Sequence, residues 1–497
     1  MTDWHAKAAA LQLDGRAFIN GERIAAEQSF DKSSPIDGRL LGQVARCDAR
    51  EAELAVQAAR QAFNDRRWAG LPPAQRKRIL IKFADLMLAH KEELALIETM
   101  DMGKPIRYSQ AVDVNSAANC LRWYGEATDK VYDEIAPTPD NSLALITREP
   151  VGVVAAIVPW NYPMLMTSWK IAPALAAGNS VILKPSEKSP YSALRMAELA
   201  IEAGIPPGVL NVLPGYGHEI GQILGLHMDV DCLAFTGSTC VGKQIFSYAA
   251  QSNLKRVWTE LGGKSANIVC ADCPDLEQAV QSALGSMYFN QGESCNAPSR
   301  LFVERSIKDA FLARALELVP QYQVSDPLDE ATVMGALVDA QQMRSVLGYI
   351  EAGRAEGAQL LAGGGQARSD SGGFYVEPTL FDGVRNDMKI AREEIFGPVL
   401  SLITFDDVAD AVRQANDSSY GLQAAVWSGN LAKAHQIARA LRAGTVHVNQ
   451  YDDDDITVPF GGYKQSGNGR DKSLHAFDKY TELKTTWLHI GAALQGG

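Results

Sequence analysis

Seven cysteines are scattered through the 497 residues, at positions 47, 120, 232, 240, 270, 273 and 295. Cys295 stands apart. It lies in Phe289-Asn-Gln-Gly-Glu-Ser-Cys-Asn-Ala297, a polar, glycine-containing break after an apolar, helix-like segment. A sulfur near backbone donors can be held as thiolate and attack a carbonyl carbon. The competing reading of any single cysteine is an inert, packed thiol. The odd, sparse set argues against a disulfide framework. Cys270 and Cys273 form a C-x-x-C with no second pair at metal spacing, so no metal site is expected.

Two glycine-rich turns follow predicted strands. The first carries Gly215, Gly217 and Gly221 in a G-x-G-x-x-x-G spacing, one residue longer than the usual dinucleotide fingerprint. The second, Gly237-Ser-Thr-Cys-Val-Gly-Lys-Gln244, falls short of a P-loop because Gln244 stands where a hydroxyl should meet magnesium. That argues against an ATPase. The turn still offers Gly237 and Ser238 at a helix N-terminus, where backbone donors and the helix dipole favour a pyrophosphate. A glycine turn used only for packing is the alternative. Lys184 and Glu187 close another strand, where open α/β folds bind ligands. A carboxylate there accepts both ribose hydroxyls and repels a 2′-phosphate, which favours NAD over NADP.

These groups need elements to position them. Between about 151 and 270, continuous apolar runs at 151–158, 180–183, 209–213 and 231–235 alternate with helix-like stretches. Runs without alternation are buried on both faces, and strands separated by helices form a parallel, doubly wound α/β sheet. Ser189-Pro190 reads as a helix start and Gly204 as a left-handed stop. Residues 1–127 are richer in helical periodicity, notably at 49–63 and 76–99. A second α/β pattern follows residue 263, with strands at 301–303 and 445–448 and a helix at 308–318. Segments 131–150 and the tail from about 478 alternate in character and could pair with other chains.

Composition narrows the class. The 47 basic and 59 acidic residues give a formal charge of −12, with 46% hydrophobic residues. This is a folded, globular composition. The acid excess argues against nucleic-acid partners. The start, Met1-Thr-Asp-Trp-His5, does not read as a signal peptide, and no run approaches the ~20 apolar residues that span a bilayer. No membrane association and a cytoplasmic location are the expectations.

Seven motifs then appear in order: Pro159-Trp-Asn-Tyr-Pro163, Leu183-Lys-Pro-Ser-Glu187, Phe235-Thr-Gly-Ser-Thr239, Glu260-Leu-Gly-Gly-Lys-Ser265, Asn290-Gln-Gly-Glu-Ser-Cys295, Glu394-Ile-Phe-Gly-Pro398 and Pro459-Phe-Gly-Gly-Tyr-Lys-Gln-Ser-Gly467. Together they resemble the aldehyde dehydrogenase superfamily over nearly the whole chain. The stretch from Gln465 to His475 looks closest to the branch that oxidises γ-glutamyl-γ-aminobutyraldehyde and 4-guanidinobutyraldehyde.

The resemblance implies a fold of two doubly wound α/β domains with a small oligomerisation element. An NAD-binding domain would comprise 1–127 and 151–262, a catalytic domain 263–477, and a bridging element 128–150 and 478–497, joining a homodimer or homotetramer. It implies an NAD-dependent oxidation of an aldehyde to the acid. Cys295 would form a thiohemiacetal and then a thioester, Asn161 and the Cys295 N–H would hold the oxyanion, and Glu260 would activate water. The presence of Glu260 favours a free acid over coenzyme A transfer. Ile157, Pro159, Trp160, Lys184, Glu187, Gly217, Gly221, Gly237, Ser238, Leu261, Glu394 and Phe396 match cofactor positions. Pro298 replaces a usual glycine and removes a donor just past the thiol.

By the same resemblance Tyr162, Met166, Trp169, Ser294, Asn296 and Phe460 wall the aldehyde tunnel, with Asp113 as an acid facing it. Before Phe460 the loop reads Tyr451-Asp-Asp-Asp-Asp-Ile456, in which Asp453, Asp454 and Asp455 would attract an amine or guanidinium at the far end of a short aldehyde. A solvated acidic loop is the alternative. The expected substrate is an ω-amino or ω-guanidino aldehyde from amine catabolism, with a neutral aromatic or aliphatic aldehyde as second choice. A P-loop ATPase and a non-catalytic binding protein are the alternatives from other classes.

Overall fold

Four strands that are buried along their whole length must be covered on both faces, and with a fifth, more polar strand they form the centre of the first sheet. In the computed structural model, which describes residues 2–453 and 455–491, these are β1 (Val153–Ile157), β2 (Ser180–Lys184), β3 (Leu210–Val212), β4 (Cys232–Thr236) and β5 (Arg256–Glu260). They run parallel in the order β3-β2-β1-β4-β5. The crossover helices are α1 (Pro163–Ala177), α2 (Tyr191–Ala203) and α3 (Thr239–Gln251). Strand order reverses between β1 and β4, so a crevice opens beyond their carboxyl ends. Ala17–Ile19 and Glu22–Ile24 extend the β3 edge in antiparallel fashion.

Gly178 and Gly204 stop α1 and α2 at φ 103° and 109°, conformations that glycine alone adopts freely. The expected cap at Ser189 is not used. Instead the Tyr191 N–H at the head of α2 donates to Asp101 Oδ2 at 3.0 Å. The helical stretch expected at 76–99 is two helices, Pro73–Ala89 and Lys91–Met102, broken at His90.

The second sheet contains β6 (Ala266–Val269), β7 (Arg300–Glu304), β8 (Gln359–Ala362), β9 (Thr379–Asp382), β10 (Val399–Phe405), β11 (Gln423–Trp427) and β12 (Thr445–Val448). Their order is β8-β9-β10-β7-β6-β11-β12, with only β8 antiparallel. The chain then returns to the first sheet, where Gly467–Asn468 pairs with Glu260 and Thr259 at the end of β5.

The two segments with alternating character pair with each other. Thr481–His489 runs antiparallel to Ser142–Pro150 over nine residue pairs, and Glu134–Ala136 adds a third strand. Leu483 and Trp487 on this sheet are 61% and 66% exposed. Among the described residues, no helix is long and apolar enough to cross a membrane.

Candidate active site

A cavity of about 780 Å³ lies beyond the carboxyl ends of β1, β4 and β5, and Asn161, Glu260 and Cys295 all line it. The three come from far apart in sequence. Asn161 is in the turn between β1 and α1, Glu260 ends β5, and Cys295 sits in the loop before β7. Two glycines after Glu260 let these pieces meet. A Cβ on Gly262 would stand 2.1 Å from Glu394 Oε2, and one on Gly263 would stand 2.2 Å from the Cys295 carbonyl oxygen.

The loop that carries the thiol is strained and heavily tied. Asn290, Gln291 and Gly292 have φ of 48°, 58° and 71°, so two residues with side chains occupy the left-handed region. Asn290 Nδ2 donates to the carbonyls of Asn161 (3.0 Å) and Glu293 (3.1 Å), and Gln291 Oε1 accepts from Gly335 N at 3.0 Å. Asn161 Nδ2 donates to Glu293 O at 2.9 Å, and its Oδ1 is buried without a partner. Just before Pro298 the turn closes through Ala297 N donating to Ser294 O at 3.2 Å.

Charge in the cavity is governed by burial. Burial pushes the Glu260 carboxyl up to about 8, with Lys170 pulling down and Asp471 pushing up. Both Glu260 oxygens are buried without a hydrogen-bonded oxygen or nitrogen partner. Burial, then the Glu260 and Glu394 carboxylates, hold the Cys295 thiol well above its ordinary range. Lys170, Asp471 and Lys479 form a buried ion cluster beside Glu260, with Lys170 Nζ 2.6 Å from Asp471 Oδ2 and Lys479 bound to the other oxygen. Sequence reasoning missed this cluster. The available signal was Lys170 itself, a lone charge in the otherwise apolar α1.

The cofactor side of the cavity is walled by Pro159, Trp160, Gly237, Ser238, Glu394 and Phe396. Trp160 and Phe396 meet edge to face at 5.2 Å, and Phe396 holds a φ of 57° while Gln342 Nε2 donates to its carbonyl at 2.7 Å. Ser238 caps α3 by accepting from Val241 N at 3.3 Å, so a 13-residue helix points its N-terminus at the cleft. Burial pushes Glu394 to about 7, opposed by the Gly263 N–H and Lys264. On the neighbouring strand end Lys184 Nζ binds Glu187 Oε2 at 3.0 Å. Burial opposes ionisation of Glu187, but the Lys184 ammonium prevails and holds it below its usual range.

Some expected cofactor positions lie behind this wall. Ile157 is buried and touches the Gly221 position, and Gly217 lies beside Lys184 Nζ. The Leu261 side chain packs on Gly242, where a Cβ would stand 2.6 Å from it, so Leu261 does not line the cleft.

On the aldehyde side Tyr162, Met166, Trp169, Asn296 and Phe460 line the cavity, with Trp169 and Phe460 5.2 Å apart. Ser294 stands just behind, its Oγ 2.6 Å from the Tyr162 hydroxyl. Asp453 and Asp455 line the mouth, whereas Asp454 lies outside the described residues. Asp452, next to them, accepts from Asn296 Nδ2 at 2.5 Å. Asp113 is a correction. It is fully buried, is bound to Lys104 Nζ at 2.5 Å and does not line the cavity, because the turn between the two residues folds it back onto a lysine nine positions earlier.

Comparison with known proteins agrees with this geometry. Residues 23–486 match the aldehyde dehydrogenase family. The solved aldehyde dehydrogenase KauB of Pseudomonas aeruginosa superposes with a TM-score of 0.97 at 63% identity, over 98% of this chain and 99% of that one. An indole-3-acetaldehyde dehydrogenase of P. syringae, solved with NAD+ and IAA, gives a TM-score of 0.97 at 62% identity over the same shares. The γ-glutamyl-γ-aminobutyraldehyde dehydrogenase of Burkholderia cenocepacia J2315 gives 0.97 at 59% identity, again over 98% and 99%. With its thiol, amide and buried acid converging on one cleft, this chain belongs to the aldehyde dehydrogenase family.

Proposed function

We propose that this aldehyde dehydrogenase uses NAD to oxidise an ω-amino or ω-guanidino aldehyde to the free acid, with Cys295 as nucleophile. The observation that carries the chemistry is the convergence of Cys295, Glu260 and Asn161 on one cavity. The Cys295 thiol releases its proton to water, the Sγ adds to the carbonyl carbon, and the oxyanion that forms is held by the Asn161 amide and the Cys295 N–H. Loss of hydride from that carbon restores the carbonyl and leaves a thioester on Cys295. Glu260 then takes a proton from water, the hydroxide adds to the thioester, and the thiolate departs as the acid is freed.

The cleft fits a dinucleotide. A helix N-terminus at Ser238 suits the pyrophosphate, Glu187 suits the hydroxyls of one ribose and Glu394 those of the other. NAD, when bound, supplies the hydride acceptor. Glu187, held ionised by Lys184, disfavours a 2′-phosphate. The first sheet with its N-terminal helices is read as the cofactor domain and the second sheet as the catalytic domain. The three-stranded sheet, with its exposed Leu483 and Trp487, is read as the surface that joins protomers into a dimer or tetramer. A cytoplasmic, reducing location suits a chain that depends on a free thiol.

The acids at 453 and 455, on the cavity mouth, support a cationic substrate tail. One observation favours a second reading, an aromatic aldehyde: Tyr162, Trp169 and Phe460 present rings to the same cavity. NADH absorbance with 4-aminobutyraldehyde, 4-guanidinobutyraldehyde, an aryl acetaldehyde and a fatty aldehyde separates the two. Activity that survives in Cys295→Ala removes the covalent route altogether.

A further inference from the structure

Behind the aldehyde wall, Glu98, Lys104 and Asp113 are all fully buried. Glu98 comes from the helix Lys91–Met102, Lys104 from the turn after it, and Asp113 from a wide π-helical turn, Ser109–Val114. Such wide turns recur at functional sites. Lys104 Nζ lies 2.5 Å from Asp113 Oδ1 and 3.6 Å from Glu98 Oε1. Taking three ionisable groups out of water is costly unless each is compensated. Burial, then the Asp113 carboxylate, push Glu98 well above its ordinary range. Glu98 Oε1 and Asp113 Oδ2 have no hydrogen-bond partner, so the contacts of Lys104 are the cluster's compensation for burial.

The cluster is not sealed off from the chemistry. Glu98 Oε2 accepts from Met164 N at 3.2 Å, in the first turn of α1. The Lys104 ammonium stands 3.9 Å from the centre of the Tyr162 ring. Tyr162 lines the cavity and Lys104 does not, so the ammonium grips the ring from outside. At its other end the Tyr162 hydroxyl meets Ser294 Oγ at 2.6 Å, one residue before Cys295. Asn161 directly precedes Tyr162. A desolvated cation on a ring face is a strong contact.

We propose that Lys104 is a positioning residue of the aldehyde site: its ammonium clamps the Tyr162 ring and so holds the Asn161 amide and the Ser294–Cys295 segment in register. This rests on the roles proposed above for Asn161 and Cys295. The paired change Lys104→Met with Asp113→Asn removes the cation without stranding an anion. Its kcat for hexanal should fall on the order of tenfold, with KM for NAD within about twofold. In a Tyr162→Leu background the same pair should change kcat by less than about twofold, because the ring it acts through is gone. Equal losses in both backgrounds would show a merely structural role and overturn the proposal.

A second arm leaves the cluster intact. Tyr162→Phe, followed by phenylalanines with one, two and three ring fluorines at that position, weakens the ring's attraction for a cation with little change of shape. A stepwise fall in kcat is expected, and a flat series overturns the proposal. Either failure, in an enzyme that still requires Cys295, leaves the functional reading standing. NAD reduction that persists in Cys295→Ala would sink that reading instead.

Discussion

The side-chain amide of Asn161 donates to the main-chain carbonyl of Glu293 at 2.9 Å, two residues before the thiol. The end of β1 and the loop before β7 are thus tied by the residue proposed above to hold the oxyanion. Asn161→Ala should lower kcat by roughly 10²–10³-fold, the usual effect of removing one oxyanion donor. NAD affinity, read by fluorescence titration, should stay within about twofold. A wild-type kcat in this variant would remove Asn161 from the oxyanion site.

Glu260 is pushed up to about 8, and only its ionised form can take a proton from water. Thioester hydrolysis should therefore rise with pH, most steeply between about pH 7 and 9, and level off above. Glu260→Gln should abolish that limb and slow hydrolysis by roughly 10²-fold or more while leaving acylation, seen as a burst of NADH. A pH profile unchanged by the substitution would assign the base elsewhere.

Asp453→Asn combined with Asp455→Asn removes two acids from the cavity mouth. Both are exposed, so the field they exert is screened. KM for 4-aminobutyraldehyde should rise about three- to tenfold, with hexanal unchanged, and the gap should shrink at high salt. Equal effects on the two aldehydes would point to the aromatic reading.

Leu483→Asp with Trp487→Asp places charge on the exposed three-stranded sheet. Size-exclusion chromatography with light scattering should show a shift toward monomer, with the monomer retaining its secondary structure. An unchanged assembly would place the protomer contacts on another surface.

Much of this was legible in the sequence, for local reasons. The apolar runs of β1, β2 and β4 and the glycine stops at 178 and 204 are properties of short segments, and they fall close to where the spacing put them. What escaped was non-local. The head of α2 takes its cap from Asp101, ninety residues earlier, so Ser189 gave a misleading signal. The break at His90 carries no glycine or proline to announce it. Asp113 reads as a substrate acid by family position, and the sequence does not show that its side chain turns inward to Lys104, nine residues earlier. The thiol stands out by its polar surroundings, but the amide and the acid are reached only through family motifs, because no spacing along the chain brings residues 161, 260 and 295 together.

The paired glycines at 262 and 263 set a limit on how this enzyme can be altered. One brings the Glu394 carboxylate, and the other the backbone of Cys295, to within a distance that leaves no space for even a methyl group. At Gly263 that side of the chamber is main chain pressed on main chain, and at Gly262 it is closed by the carboxylate assigned above to the cofactor, so it is not there to be trimmed. Redesign for bulkier aldehydes has to work on the opposite wall, at Tyr162, Trp169, Phe460 and the acidic loop, where shape is set by groups that can be exchanged.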